Sequence, residues 1–260
     1  MALSLMALVV TSTAFAQDAR LRRLNSGDDA RPWEAVGRLN VGGTGFCTGA
    51  LIAPKMVLTA AHCLFDKTTG DRIDHTEIEF LAGWRNGRAL AYRTVRRAVV
   101  HPDYALADHL SSDGVRNDLA LLELDHPVRD GKIKPFLTAT RPRRGSQVGV
   151  VSYGKGRAEA PSLQEICHVL AQQDGVLVTS CSVDFGSSGA PIFVVHDGEP
   201  HIVSVVSAKA EVDGEAVSLG TSLGAPLARL QAEMVAQKGV ITQRVQAGAR
   251  NDTGAKFLKP

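Results

Sequence analysis

Three short stretches of this 260-residue chain hold residue types that do chemistry together. They are Thr59-Ala60-Ala61-His62-Cys63, Asn117-Asp118-Leu119-Ala120-Leu121-Leu122 and Asp184-Phe185-Gly186-Ser187-Ser188-Gly189-Ala190-Pro191. A hydroxyl is a poor nucleophile at neutral pH. It needs a neutral imidazole to take its proton and a carboxylate to hold that imidazole in the right tautomer. His62, Asp118 and Ser188 supply those three types, and they are expected to form a catalytic triad. Each alone is ordinary: a His beside a Cys, an Asp opening an apolar strand and a Gly-rich Ser run are usually structural. Their joint occurrence carries the argument. Gly186 and Gly189 flank the serines, and a turn without Cβ atoms lets backbone N–H groups point at one spot, as an oxyanion demands. The N–H groups of Gly186 and Ser188 are the expected oxyanion hole. His62 acts as a base only while neutral, so activity is expected to fall in acid.

The elements that must position these residues are mostly strands. From Val36 to Leu124 come the short β-type runs VGRLNV, CTGALIA, MVLTAA, IEFLAG, VRRAVV and LALLEL, separated by Gly, Pro, Asp and Asn clusters. A second set follows: QVGVVSYG, LQEICHVLA, GVLVTSC, APIFVVH, HIVSVVSAKA and AVSLGTSL. The chain therefore reads as all-β in two units, 32–130 and 131–224, joined through DHPVRDGKIKPFL with its two prolines. After Gly224 the period changes. Leu227, Leu230 and Met234 recur at i, i+3 and i+7, with Pro226 near the start and Gly239 past the end, which predicts a helix over 225–239. Residues 240–260 read as a polar tail. The uncharged stretch 1–16 ends in Ala14-Phe15-Ala16 and predicts a secretory leader, followed by an N-terminal segment, 17–31, of the length of a short propeptide.

Composition narrows the function classes. With 44% hydrophobic and 22% charged residues the chain is no disordered polymer, and Lys+Arg 29 against Asp+Glu 27 leaves a net charge of +2. No broad field therefore argues for nucleic acid or an anionic membrane. No segment approaches the roughly 20 apolar residues of a membrane span, so no membrane contact is expected once the leader is removed. A monomer without cofactor is expected. Cys47, Cys63, Cys167 and Cys181 form two sequence-local pairs. In an oxidising compartment the expected disulfides are Cys47 with Cys63 and Cys167 with Cys181, each stabilising by about 3 kcal/mol. Zinc is the weaker reading: there is no Cys-x-x-Cys, and His62 beside Cys63 has no second ligand pair, so no metal is expected.

CTGALIAPKMVLTAAHC, RNDLALLEL and FGSSGAPIF resemble the first disulfide hairpin, the catalytic Asp strand and the nucleophile loop of the chymotrypsin/trypsin family of serine endopeptidases. The resemblance runs from about Pro32 to Met234. It implies two six-stranded antiparallel β-barrels with a C-terminal helix, and a triad in the cleft between them, His62 and Asp118 from the first barrel and Ser188 from the second. HIVSVVSAKA resembles the family's cleft strand. That would set Ser207 beside Asp118 as a hydrogen-bond partner and let an extended peptide bind by strand addition.

Departures from the family pattern refine the expectation. Most animal members carry an Asp where this chain has Ser187, and that Asp pairs with a new N-terminus released by activation cleavage; a neutral hydroxyl makes no such ion pair. LRRLNSGDDARPW stands in place of an IVGG-like start, with Arg20 and Arg23 as the available cleavage points. Ser187 in place of that Asp, together with the short second barrel, resembles the bacterial glutamyl-endopeptidase branch more than animal trypsins. Ser182 lies six residues before the nucleophile, where trypsin-type enzymes bind a basic side chain with an Asp, so a strict Arg/Lys preference loses its support. Val206 stands where the glutamyl-specific branch has a His. Ala208 and Lys209 replace a bulky aromatic and a Gly, with Lys209 either narrowing the pocket or attracting a carboxylate. Ser182, Val206, Ser207, Ala208 and Lys209 are the expected substrate-binding set.

The expected function is a secreted or periplasmic serine endopeptidase that hydrolyses proteins or peptides through an acyl-enzyme. The alternative from another class is a protease-like fold kept for binding, because Ser187 removes the usual activation contact and with it a support of the oxyanion loop. Esterase activity on small acyl substrates is the third reading.

Overall fold

Alternating apolar and polar residues make strands buried on one face, and unbroken apolar runs make strands covered on both. Both kinds occur here. The computed structural model describes residues 20–43, 45–129, 131–139, 142–212 and 214–236. The expected leader, the tail over 240–260 and the helix end at Gly239 lie outside the described residues.

The strands are β1 (Arg22–Arg23), β2 (Val36–Val41), β3 (Gly45–Ala53), β4 (Met56–Thr59), β5 (Ile78–Ala82), β6 (Ala91–Val100), β7 (Ala120–Leu124), β8 (Leu137–Thr138), β9 (Gln147–Ser152), β10 (Ser162–Gln173), β11 (Val176–Thr179), β12 (Pro191–His196), β13 (Glu199–Val212) and β14 (Glu215–Ser222). The helices are α1 (Gly27–Ala30), α2 (Ser112–Asn117) and α3 (Gly224–Ala236). Strands β2 to β7 close into an antiparallel barrel in the order β2-β3-β4-β7-β6-β5. A second ring runs β9-β10-β11-β14-β13-β12 and back to β9. The protein thus consists of two six-stranded antiparallel β-barrels with a C-terminal helix, the expected fold class.

The apolar run ALLEL forms β7, buried at every position, while AYRTVRRAVV of β6 alternates between buried and exposed. Glu123 is buried within β7, and Arg97 of β6 satisfies it with an Nε–Oε2 hydrogen bond of 2.7 Å. Cys47 is bonded to Cys63 and Cys167 to Cys181.

The first and last described elements each pack on the barrel farther from them in sequence. Near the N-terminus, β1 pairs with β10 of the second barrel, and Leu24, directly after Arg23, is fully buried with its N–H donated to Pro161. After the second barrel, α3 buries Leu227, Leu230 and Met234 and packs on β6 and β7 of the first. Arg97 Nη1 donates to the Met234 carbonyl at 3.2 Å, fastening that end. Between the barrels, Phe193 lies 5.0 Å from Trp33 and 4.8 Å from Phe136, ring centre to ring centre, in one shared apolar cluster. Among the described residues no helix is long and apolar enough to cross a membrane.

Candidate active site

His62 sits in the 3-10 turn Ala61–Leu64 that follows β4, and the neighbouring Cys63 is tied to Cys47 on β3. A short turn between a strand end and a covalent link leaves the imidazole little freedom. Asp118 caps the C-terminus of α2, whose start is capped by the Ser111 hydroxyl accepting from Gly114 N–H. Thr221 Oγ1 on β14 donates to the Val115 carbonyl at 2.6 Å and the Asp118 carbonyl at 3.1 Å, so the second barrel grips the Asp118 turn.

The Asp118 carboxylate is wholly buried and its lone pairs are occupied by three donors. His62 N–H reaches Oδ1 at 2.9 Å, His62 Nδ1 reaches Oδ2 at 2.7 Å, and the Ser207 hydroxyl also donates to Oδ2. A carboxylate at Nδ1 places the ring proton there and leaves Nε2 as the acceptor. The neighbouring Tyr104 phenol is pushed up by its own burial and then by the Asp118 charge.

Ser207 reaches Asp118 because its strand is irregular. Pairing of β13 with β14 runs Val206 to Gly220 and then Ala208 to Leu219, so Ser207 is the extra residue of a bulge. A bulged residue leaves the ladder and re-aims its side chain.

The nucleophile loop is held by its carbonyls. Lys155 N–H donates to the Phe185 carbonyl at 2.7 Å, Thr48 Oγ1 to that of Gly186 at 2.8 Å, Ala190 N–H to that of Ser187 at 2.9 Å, and Thr48 N–H to that of Ser188 at 2.9 Å. In a trans peptide the N–H points opposite to the preceding C=O, so these bonds turn the Gly186 and Ser188 N–H groups the other way. Among the described residues neither N–H donates a hydrogen bond, nor does the Ser188 hydroxyl. Gly186 adopts φ +93, and a Cβ there would stand 2.3 Å from the Phe46 ring. Gly189 adopts φ +78, and a Cβ would meet Thr59 Oγ1 at 2.1 Å. Both positions therefore require glycine. The tight fit of Gly189 brings the nucleophile loop against the end of β4, within three residues of His62. The structure joins His62, Asp118 and Ser207 by hydrogen bonds and sets the Ser188 loop beside them. A serine–imidazole bond often tightens only when substrate arrives.

Of the expected binding residues, Val206 is buried and its backbone is paired to the nucleophile loop, Gly189 N–H to its carbonyl and its own N–H to Ala190. Beyond it β13 pairs with β14 alone, so the other backbone edge of Ala208 and Lys209 faces outward, with the Lys209 side chain exposed. Ser182 is exposed, and its N–H is held by Gln164 Oε1 at 2.6 Å. Cys47, His62 and Cys63 lie together, but both sulfurs are committed to the disulfide, which removes the thiolates that zinc would take. Thr48, Arg157 and Thr221 were not apparent from the sequence. No local motif marks them, because their partners lie about a hundred residues away or across a turn of no distinctive composition.

The paired barrels place a buried His62–Asp118 hydrogen bond beside a glycine-rich serine loop, and comparison with known proteins identifies the family. The Trypsin family matches residues 24–220, and this chain belongs to that family. Curated relatives include the rat (Rattus norvegicus) complement C1r subcomponent-like protein, 37% identical over 106 residues that make up 37% of this chain and 20% of the relative. The mouse (Mus musculus) complement C1r-B subcomponent is 32% identical over 123 residues, covering 42% of this chain and 16% of its own length. The chain thus matches a fifth or less of these relatives. Among solved structures, that of a Glu endopeptidase in complex with MPD superposes with a TM-score of 0.67 at 16% identity, covering 85% of this chain and 99% of that one. At that identity the likeness is one of fold.

Proposed function

We propose that this protein is a serine endopeptidase working through an acyl-enzyme. Ser188 is the nucleophile, His62 the general base and then acid, and Asp118 the group that holds and stabilises the imidazolium. The N–H groups of Gly186 and Ser188 receive the oxyanion. The observation that carries the reading is the buried Asp118 carboxylate on His62 Nδ1 beside a serine loop whose Phe185, Gly186 and Ser188 carbonyls are held from outside the loop. Loss of one oxyanion donor typically costs about 3 kcal/mol of transition-state stabilisation. The peptide substrate pairs with the open edge of β13 at Ala208 and Lys209, with Ser182 at the side-chain pocket. Two disulfides suit an oxidising compartment, and with the uncharged stretch 1–16 they support export to the periplasm or outside the cell. Ser187 in place of an acidic residue supports a position near the glutamyl-endopeptidase branch. The binding-only alternative rested on an unsupported oxyanion loop, and the loop's outward bonds weigh against it.

Ser188→Ala tests the reading. Purified mature protein is expected to lose at least about a thousandfold in kcat for a peptide substrate and to stop reacting with an organophosphonate. Unchanged hydrolysis would refute it.

A further inference from the structure

Ser188 is half-buried, whereas its neighbour Ser187 is fully buried. The Ser187 hydroxyl lies 3.1 Å from the Tyr153 carbonyl and 3.3 Å from Ser152 Oγ as donor, and it accepts from Arg157 Nη2 at 2.9 Å and Asp184 N–H at 3.2 Å. A hydroxyl has one donor and two acceptor sites, so this one is saturated. Arg157 is half-buried and spreads its fork over the same cluster, Nη1 to the Ser152 carbonyl at 2.6 Å and Nη2 to Ser152 Oγ at 3.1 Å. Among the described residues its hydrogen-bond acceptors are neutral, and burial lowers its basicity while the Asp184 charge works the other way. Partly desolvating a cation against neutral groups is unfavourable, which asks for a benefit elsewhere.

Space has been made for this cation. A Cβ on Gly154 would lie 2.7 Å from Arg157 Cζ. The same turn, closed by Arg157 N–H to the Gly154 carbonyl at 2.9 Å, supplies the Lys155 N–H that holds the Phe185 carbonyl. One short loop therefore grips the nucleophile loop twice, once through the backbone at Phe185 and once through the side chain at Ser187. Between and beside those two points stand Gly186 and Ser188.

We propose that Arg157 is a positioning residue: by holding Ser187 from within the second barrel it keeps the Gly186 and Ser188 N–H groups aimed at the oxyanion. The inference rests on the endopeptidase reading above. A donor displaced from the oxyanion acts on the transition state and leaves ground-state binding on β13 untouched.

The test compares wild type with Arg157→Ala, Arg157→Lys and Ser187→Ala on one ester and one extended peptide. Arg157→Ala is expected to lose about a hundredfold or more in kcat with KM within about threefold of wild type. Arg157→Lys keeps the charge, loses the fork and is expected between the two. Guanidinium chloride at tens of millimolar, against a sodium chloride control, is expected to restore Arg157→Ala by about tenfold. A wild-type kcat in the folded variant, or a rise in KM alone, would overturn the proposal. Should Arg157→Ala not fold, Ser187→Ala removes only a hydroxyl, and kcat at least about tenfold down at unchanged KM is the expected outcome; no change overturns it. Hydrogen exchange separates the two readings. The Ser187 and Ala190 amides, bonded within the loop, are expected to exchange at least about tenfold faster in Arg157→Ala than in wild type, whether or not the wild type hydrolyses either substrate. Inactivity would then count against the endopeptidase reading, and unchanged exchange against this one.

Discussion

At the scale of single residues, the proposed mechanism leans hardest on Asp118, a fully buried carboxylate. Its charge is tolerated because His62 N–H, His62 Nδ1 and the Ser207 hydroxyl all donate to it, and charge-assisted bonds of this kind are about twice as strong as neutral ones. Asp118→Asn keeps the shape but presents an amide that can force the wrong imidazole tautomer. We expect a fall of about four orders of magnitude in kcat at pH 7 with little change in thermal unfolding temperature, measured on the same preparation. A fall smaller than tenfold would mean that His62 Nδ1 does not need the carboxylate.

At the scale of elements, position is set by how turns are fastened. The His101–Tyr104 turn follows β6 and precedes Asp118 in the chain, with His101 N–H bonded to the Leu119 carbonyl at 3.0 Å. His101 is buried, and its Nδ1 accepts from Asp103 N–H at 3.3 Å, which requires that nitrogen unprotonated. Asp103 in turn binds Arg229 of α3 at 2.8 Å. Burial lowers the His101 pKa, with Asp103 opposing and Arg229 reinforcing the shift. A histidine whose folded pKa is depressed binds its proton more readily when unfolded. Stability from this group is therefore complete above the ordinary histidine pKa of about 6.5 and declines as pH falls below it. Denaturant unfolding of His101→Gln is expected to show a shallower acid decline than wild type, by at most about 1.4 kcal/mol per pH unit. Identical slopes would remove His101 from the account.

At the scale of the whole molecule, the cleft exists because two barrels are held at one geometry. Phe193 on β12 of the second barrel packs on Trp33, which leads into the first, and on Phe136 from the connector. Tyr153, fully buried, donates its hydroxyl to the Trp84 carbonyl at 2.8 Å, and Trp84 Nε1 donates to Ala158 at 3.1 Å, a second weld between the barrels. The N-terminal β1 and the C-terminal α3 complete it as crossed straps. Phe193→Ala is expected to cost about 3 to 5 kcal/mol. Because the lost contacts belong to both barrels, calorimetry is expected to show one transition at lower temperature and not two. Two separated transitions would show that the barrels are stabilised independently.

Much of this was legible residue by residue. The alternating or unbroken apolar runs predicted the strands, since a period of two is a local property of the backbone. Leu227, Leu230 and Met234 predicted α3, which starts at Gly224, and cysteines spaced 16 and 14 apart predicted their own pairing. Residue types alone also nominated His62, Asp118 and Ser188, because proton transfer by a hydroxyl, an imidazole and a carboxylate restricts the choice of side chain. The likeness of HIVSVVSAKA to a cleft strand had already put Ser207 beside Asp118, where the hydrogen bond is present. Packing decided what no window could hold: Thr48 gripping the carbonyls of Gly186 and Ser188 across some 140 residues of chain, and Arg157 under Ser187. These contacts carry no sequence signature, since a hydrogen bond depends on where two groups meet in space, and that is settled only when both barrels close and lock together.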